Sequence, residues 1–144
     1  MPIPMQQMLL SLGAKKKSTY IDDVFSTYLW EGDNGTNRTI TNNIDLSTEG
    51  GMVWIKQRSG SEKHQMYDTA RGATKALQSS SSTSESTVSN GLKSFTTTGF
   101  TIGSDNTNND NGEDYVAWSL RKAPGFFDIV TWSGSGGSNN NIPH

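Results

Sequence analysis

The chain has 144 residues, 31% of them hydrophobic, a mean hydropathy of −0.62, and a formal charge of −2 from 12 basic and 14 acidic side chains. That length fits one ordinary domain with a short appendage, and so even a charge balance gives no general pull toward nucleic acid or an acidic membrane. The absence of cysteine excludes a disulfide framework and a thiolate metal site; a secreted domain of this size would more often be stapled, so cytosolic assembly is favoured.

Ser, Thr and Asn are abundant, and 15 glycines accompany them. These residues suit turns, because Gly and Asn accept left-handed backbone and Ser and Thr bond to nearby peptide groups. Four Trp, four Tyr and five Phe, spaced at intervals, supply cores between those turns. The composition therefore points to an all-β protein. No apolar run is long enough to cross a membrane. The N-terminus is not read as a signal peptide, because its lysines follow the short apolar patch instead of preceding it.

Residues 1–13, MPIPMQQMLLSLG, place Met5, Met8, Leu9 and Leu12 on one face of a helix. Pro4 suits its first turn, Gly13 its end, and Lys15, Lys16 and Lys17 its negative pole. Two turns are unstable alone in water, so the segment needs a partner: its own domain, symmetry mates or another protein. Residues 1–22 are read as this appendage, 23–125 as the β module, and 126–144 as a linker or the start of a second, truncated repeat.

Val24–Trp30 is the first expected strand, with Phe25, Thr27 and Leu29 on one side and Tyr28 and Trp30 on the other. Glu31–Asn37 is turn chemistry in which Asn34-Gly35 is a strong hairpin dipeptide. Met52–Arg58 is the clearest strand, and its two apolar faces predict a central strand covered on both sides. Gln65–Leu77 is ambiguous between strand and short helix, with a bend at Arg71-Gly72. Gln78–Ser89 and Ser104–Asp114 read as polar loops. Strands follow at Leu92–Phe95 and Phe100–Ile102. Tyr115–Arg121 alternates, which predicts Val116, Trp118 and Leu120 inward and Tyr115, Ser119 and Arg121 outward. Phe126–Trp132 is the last expected strand. Many short strands without a long amphipathic helix predict a two-sheet sandwich.

An internal repeat crosses these elements. Phe25-x4-Trp30-x-Gly32-x2-Gly35-Thr36-Asn37-x2-Ile40 matches Phe127-x4-Trp132-x-Gly134-x2-Gly137-Ser138-Asn139-x2-Ile142 without a gap, six identities and a Thr/Ser pair over 16 positions at an offset of 102 residues. An offset of that size is one domain.

Candidate chemistry is sparse. His64 stands in a polar SEKHQ stretch and is expected at the surface, and no serine sits in a nucleophile elbow. Glu31 with Asp33, or Asp22 with Asp23, are the pairs a glycosidase reading would use; solvated turn carboxylates explain them more simply. Asp105, Asp110 and Asp114 could form an oxygen cage, although an EF-hand register centred on Gly112 would put Thr107 first and Trp118 twelfth and lose both key carboxylates. Neither phosphate-binding glycine pattern occurs, and Tyr67 or Tyr115, if exposed, could stack on sugar rings. No cofactor is expected.

Four motifs, Val53-Trp54-Ile55-Lys56, Asp68-Thr69-Ala70-Arg71-Gly72-Ala73-Thr74-Lys75, Gly99-Phe100-Thr101-Ile102-Gly103 and Tyr115-Val116-Ala117-Trp118, occur in that order. They resemble a repeated module of marine bacteriophage tail-fibre-like proteins, in which VWIKNR, FDTVRGA, GFTLG and YVAW recur at similar spacing. The match covers Trp30–Trp132. Met66-Tyr67 stands where Leu-Phe is usual and Ala70 where Val is usual. The resemblance implies a concanavalin- or laminin-G-like jelly-roll β-sandwich on a virion tail appendage. It also gives Met5, Met8, Leu9 and Leu12 a role in docking onto a tail adaptor or nozzle protein, in a homotrimer whose distal region meets a host surface glycan. No enzyme activity is implied, and Asp68, Arg71 and Gly72 become a structural turn. The alternatives are a carbohydrate-binding β-sandwich and, third, a glycoside hydrolase.

Overall fold

A computed structural model describes residues 19–137 and 139–144; Met5, Met8, Leu9 and Leu12 lie outside them. The elements are α1 (Ile21–Val24), β1 (Phe25–Glu31), β2 (Arg38–Thr41), β3 (Gly51–Gln57), β4 (Gln65–Asp68), β5 (Lys75–Ala76), β6 (Ser86–Thr87), β7 (Leu92–Thr96), β8 (Gly99–Ile102), α2 (Asn106–Asn109) and β9 (Asp114–Arg121). The fold is all-β. One sheet has the order β1-β9-β3-β4, a second the order β2-β8-β7, and β5 pairs with β6. Every strand pair is antiparallel.

The two larger sheets form a sandwich around one core. Trp30, Val53, Ile55, Tyr67, Tyr115 and Ala117 come from the four-stranded sheet, and Ile40, Leu92, Phe100 and Ile102 from its partner. Trp30 stacks on Tyr115, ring centroids 5.5 Å apart at 15°, and meets Phe100 edge-on at 6.3 Å. Such aromatic pairs add about 0.5–1.5 kcal/mol beyond the area they bury. Asn42 Nδ2 donates to Ser119 Oγ at 2.8 Å and ties the sheets together.

Several expectations are corrected. Asn34-Gly35 closes no hairpin: β1 and β2 belong to different sheets, so Gly32–Asn37 is a corner between layers, with Asn34 left-handed at φ 54°. β3 is internal to its sheet, between β9 and β4, but the second sheet covers one face only. Gly51, Val53, Ile55 and Gln57 are buried, whereas Met52, Trp54 and Lys56 are half-buried. β9 faces opposite to the alternation argument: Tyr115, Ala117 and Ser119 are fully buried in the core, and Val116, Trp118 and Leu120 point away from it. The reason lies in the partners: Ser119 bonds to Asn42, and the Tyr115 ring stacks on Trp30 while its hydroxyl donates to Asn106 O at 2.6 Å. Polar tips with partners can be buried, and apolar side chains with neighbours across the sheet can be left outside.

Phe126–Trp132 forms no strand; a turn brings Ala123 and Phe127 into a single antiparallel bridge, and Trp132 is 63% exposed. Ser104–Asp114 is not a solvent loop either, since it contains α2 and buries Asn108 and Asn109 completely. Gln65–Leu77 resolves into β4, a turn and β5.

Candidate interaction face

The register assembles the side chains that point away from the core into rows across the four-stranded sheet. Phe25, Leu120 and Met52 form one row, Thr27, Trp118, Trp54 and Met66 the next, and Leu29, Val116 and Lys56 the third. Cross-strand neighbours on one face lie within contact distance, and Trp54 meets Trp118 edge-on with centroids 5.7 Å apart. Phe25 and Leu29 are 36% and 56% exposed on β1, the edge strand. On the inner strands Met52, Trp54, Lys56, Trp118 and Leu120 are half-buried and Val116 is buried among them. Among the described residues no second layer lies on this sheet face, which gives it the character of an association surface.

His64 borders this face, half-buried, unlike the surface histidine the sequence predicts. Its Nδ1 accepts the Trp54 indole N–H at 3.0 Å, and the rings lie 5.6 Å apart. The indole N–H would otherwise lack a partner on an apolar face, so the pair is accounted for by hydrogen bonding alone.

Asp68 ends β4 beside Met52. Arg71 Nε lies 2.6 Å from Asp68 Oδ2, its backbone N–H donates to Asp68 Oδ1 at 2.8 Å, and Nη2 donates to Met66 O at 3.0 Å. Nη1 lies 3.4 Å from Glu85 Oε2. The structure thus brings Asp68 and Arg71 together, with side chains 8% and 12% exposed. Gly72 follows at φ 99°, a left-handed value that a side chain would strain, and its N–H donates to Asp68 O. The guanidinium closes the turn onto the end of β4. Both oxygens of the Asp68 carboxylate are thus engaged by Arg71.

The other carboxylates are dispersed. Asp33 accepts from Gly35 N–H and Asn109 Nδ2, each at 2.8 Å, and lies 3.3 Å from Arg38 Nη1. The Gly35 N–H first, then the Asn109 amide, hold its carboxyl below the ordinary aspartate value. A carboxylate held ionised is a poor general acid, and Glu31 beside it is exposed at the end of β1. Asp23 Oδ2 accepts from Tyr20 N–H at the start of α1, and Asp22 is exposed. Asp105 caps α2 by accepting from the Thr107 N–H at 2.9 Å and from its hydroxyl. Asp105, Asp110 and Asp114 do not converge: among the described residues no three His, Asp or Glu side chains gather as metal ligands. An open cleft of about 540 Å³ lies between Glu49 and the turn carrying Lys122, Phe126 and Asp128, with Lys122 Nζ 2.8 Å from Asp128 Oδ1.

Tyr67 and Tyr115, which the sequence offered as sugar-stacking aromatics, are both fully buried. What sequence reasoning missed is the outer face itself. The signal was present in Val116, Trp118 and Leu120 alternating on one strand and Met52 and Trp54 on another, but alternation does not say which side of a sheet is covered.

Neither the comparison with curated proteins nor that with solved structures returns a match. A family model matches residues 20–144, from α1 to the end of the chain, and its description is a domain of unknown function. The chain therefore belongs to the DUF7483 family.

Proposed function

We propose that the protein is a structural component of a phage tail appendage, a tail fibre. In this reading Met1–Lys17 docks onto a tail adaptor or nozzle protein, the sandwich associates with further copies of itself as a homotrimer, and a distal region meets the host surface. The observation that carries the proposal is where the resembling motifs fall. Val53–Lys56 is on β3, Asp68–Lys75 forms the turn from β4 to β5, Gly99–Gly103 is β8 with the residue after it, and Tyr115–Trp118 is on β9. All four are framework, and two of them furnish the outer face with the half-buried Trp54 and Trp118. A framework that places apolar side chains on a sheet face bearing no second layer among the described residues suits assembly better than turnover.

The reading is tested on particles. Deleting Met1–Gly13 is expected to yield particles without the protein, while the truncated chain still folds in isolation. Localisation of the intact chain to the capsid, or its absence from particles, overturns the proposal. The outer face is tested separately by sedimentation. Phe25→Glu with Leu29→Glu is expected to turn a trimer into a monomer, and a wild-type chain that is monomeric at high concentration overturns that part.

A carbohydrate-binding module is the second reading. It is favoured by the half-exposed Trp54 and Trp118 on one face, since indole faces pack on the apolar faces of sugars. Binding of the full chain to immobilised glycans, abolished by Trp118→Ala, would replace the assembly reading with this one.

A further inference from the structure

Phe25–Ile40 and its repeat Phe127–Ile142 have the same pattern but opposite surroundings. In the first copy each shared residue has a place. Trp30 is 6% exposed and its indole donates to Asn108 O at 3.1 Å. A Cβ on Gly32 would collide with the Asp110 carbonyl. Ile40 is 2% exposed between the sheets. In the second copy Trp132 is 63% exposed, and Gly134 has open space around it.

The corner between the two halves is nonetheless built alike, leaving Ser138 aside as outside the described residues. Asn34 has φ 54°, and Gly136, its counterpart, has φ 71°. Gly35 N–H donates to Asp33 Oδ1 at 2.8 Å, and Gly137 N–H donates to Ser135 Oγ at 3.4 Å. Across the first corner Arg38 lies 3.3 Å from Asp33; across the second, Ser135 Oγ donates to Asn140 Oδ1 at 2.6 Å, and these occupy the matching positions. The ionic contact has become a neutral one at the same two positions. A tail with no packing role has no reason to repeat the residues that fit a wall while that wall is missing.

The wall is not available within this domain. β9 is paired on both sides, by β1 and by β3. Extending the Ala123–Phe127 bridge as a ladder would set Trp132 opposite Trp118, three residues from the Tyr115 position that Trp30 opposes. Another intact copy does not offer it either. There the tethered β1–corner–β2 competes at an effective concentration of roughly millimolar.

We infer that Phe127–Ile142 is the first strand, corner and second strand of a further domain of this same fold. Its partner is a body equivalent to β3–β9 that lacks its own β1 and β2. Trp132 then bonds to the carbonyl equivalent to Asn108 O, Gly134 approaches the equivalent of Asp110, and Ile142 enters that domain's core. The domain described here thereby carries the opening element of its neighbour, which makes it a link in a head-to-tail series. This stands on the corner geometry and does not depend on the tail-fibre reading.

Two variants test it. In the first, the full chain receives the sequence of Phe127–Ile142 in place of Phe25–Ile40. The graft is expected to fold cooperatively, with Tm lowered by no more than about 15 °C and the indole at position 30 buried by fluorescence. A chain that is unfolded and protease-sensitive overturns the proposal. In the second, residues 41–126 are appended after Ile142 of the full chain, and in a parallel fusion after a repeated Phe25–Ile40. The proposal expects both appended bodies to fold, with Trp132 emission shifted to the blue. Folding only after the repeated Phe25–Ile40 overturns it. Should neither appended body fold, the graft decides.

Discussion

Gln78–Ser89 and Ser104–Asp114 both read as polar loops between apolar stretches, the first rich in Ser and Thr, the second in Asn and Asp. In the structure they are opposites. From Ser82 to Thr87 the first is exposed at every residue, and its longer-range hydrogen bonds are few: the β5–β6 pairing with Val88 N–H to Thr74 O beside it, His64 N–H to Ser80 Oγ, and the side chains of Arg71 and Lys75 to Glu85 and Thr87. The second buries Asn108 and Asn109 completely and is bonded to three aromatic side chains that point into the core. Trp30 Nε1 donates to Asn108 O at 3.1 Å, Asn108 Nδ2 donates to Tyr67 Oη at 3.0 Å, and Tyr115 Oη accepts from Asp110 N–H at 2.9 Å while donating to Asn106 O. Asn109 holds the corner through Asp33 N–H, Asp33 Oδ1 and Gly35 O. A polar segment is drawn inside when distant aromatics bring polar tips that need partners, because a buried tip without one costs about 1–3 kcal/mol. Among the described residues no Trp or Tyr side chain bonds to the first loop.

The largest expected effect breaks the contact that lets the second loop close. Gly32→Val puts a side chain into the Asp110 carbonyl, which is backbone and cannot swing aside. Denaturant unfolding followed by tryptophan fluorescence is expected to show a loss of about 4 kcal/mol or more, at the upper end of single-residue effects, or a chain that does not fold at all. The same substitution at Gly134, which meets nothing, is expected to change stability by less than about 0.5 kcal/mol.

Next in size is Asn108→Ala, which leaves the Tyr67 hydroxyl without its amide donor in a site closed to solvent. A loss of about 2–3 kcal/mol is expected. Tyr67→Phe in the same background is expected to add less than it costs alone, because both changes remove one hydrogen bond. Strict additivity of the two in denaturation curves would mean that the pair does not act as a unit.

The aromatic tips also give the second loop a pH dependence that the first cannot have. Burial, the largest cause, pushes the Tyr67 hydroxyl up to about 12 from an ordinary 10. The folded-state value is the higher one, so the stability is complete below pH 10 and is lost as the unfolded chain releases a proton that the folded chain keeps. Between pH 10 and pH 12 the loss is expected to reach on the order of 2–3 kcal/mol. Burial raises Tyr115 in the same direction. Urea midpoints measured across that range should fall for the wild type and fall less steeply for Tyr67→Phe.

The contrast also marks how far the sequence could be read. The span of β3, the first strand, the strand at Tyr115–Arg121 and the sandwich itself follow from alternation and turn residues, because each needs only neighbours along the chain. The burial of Asn108 does not, because it is decided by Trp30 and Tyr67, which lie 78 and 41 residues away. The facing of β9 fails for the same reason. Val116, Trp118 and Leu120 are apolar and look like core; what fixes the inner side is Tyr115 stacked on Trp30 and Ser119 bonded to Asn42. The outer face was therefore hidden by the assumption that apolar means inward. The structural role of Asp68, Arg71 and Gly72 came from the resemblance alone; the ion pair that closes their turn lies within three residues.

The smallest expected effect sharpens the comparison from the other side. Glu85 sits in the exposed loop, and its carboxylate is 3.4 Å from Arg71 Nη1 with its side chain 42% exposed. If loops of this composition were held by specific contacts, Glu85→Gln should loosen the chain. Arg71, however, is already bound to Asp68 Oδ2 at 2.6 Å and to Met66 O at 3.0 Å, and neither contact needs Glu85. An exposed ion pair contributes about 0–1 kcal/mol and is screened by salt. Glu85→Gln is therefore expected to shift stability by less than about 0.5 kcal/mol, and by less still at 1 M salt. A loss of 2 kcal/mol in denaturant unfolding would mean that Gln78–Ser89 is tied down as firmly as Ser104–Asp114, and the distinction between the two loops would fall.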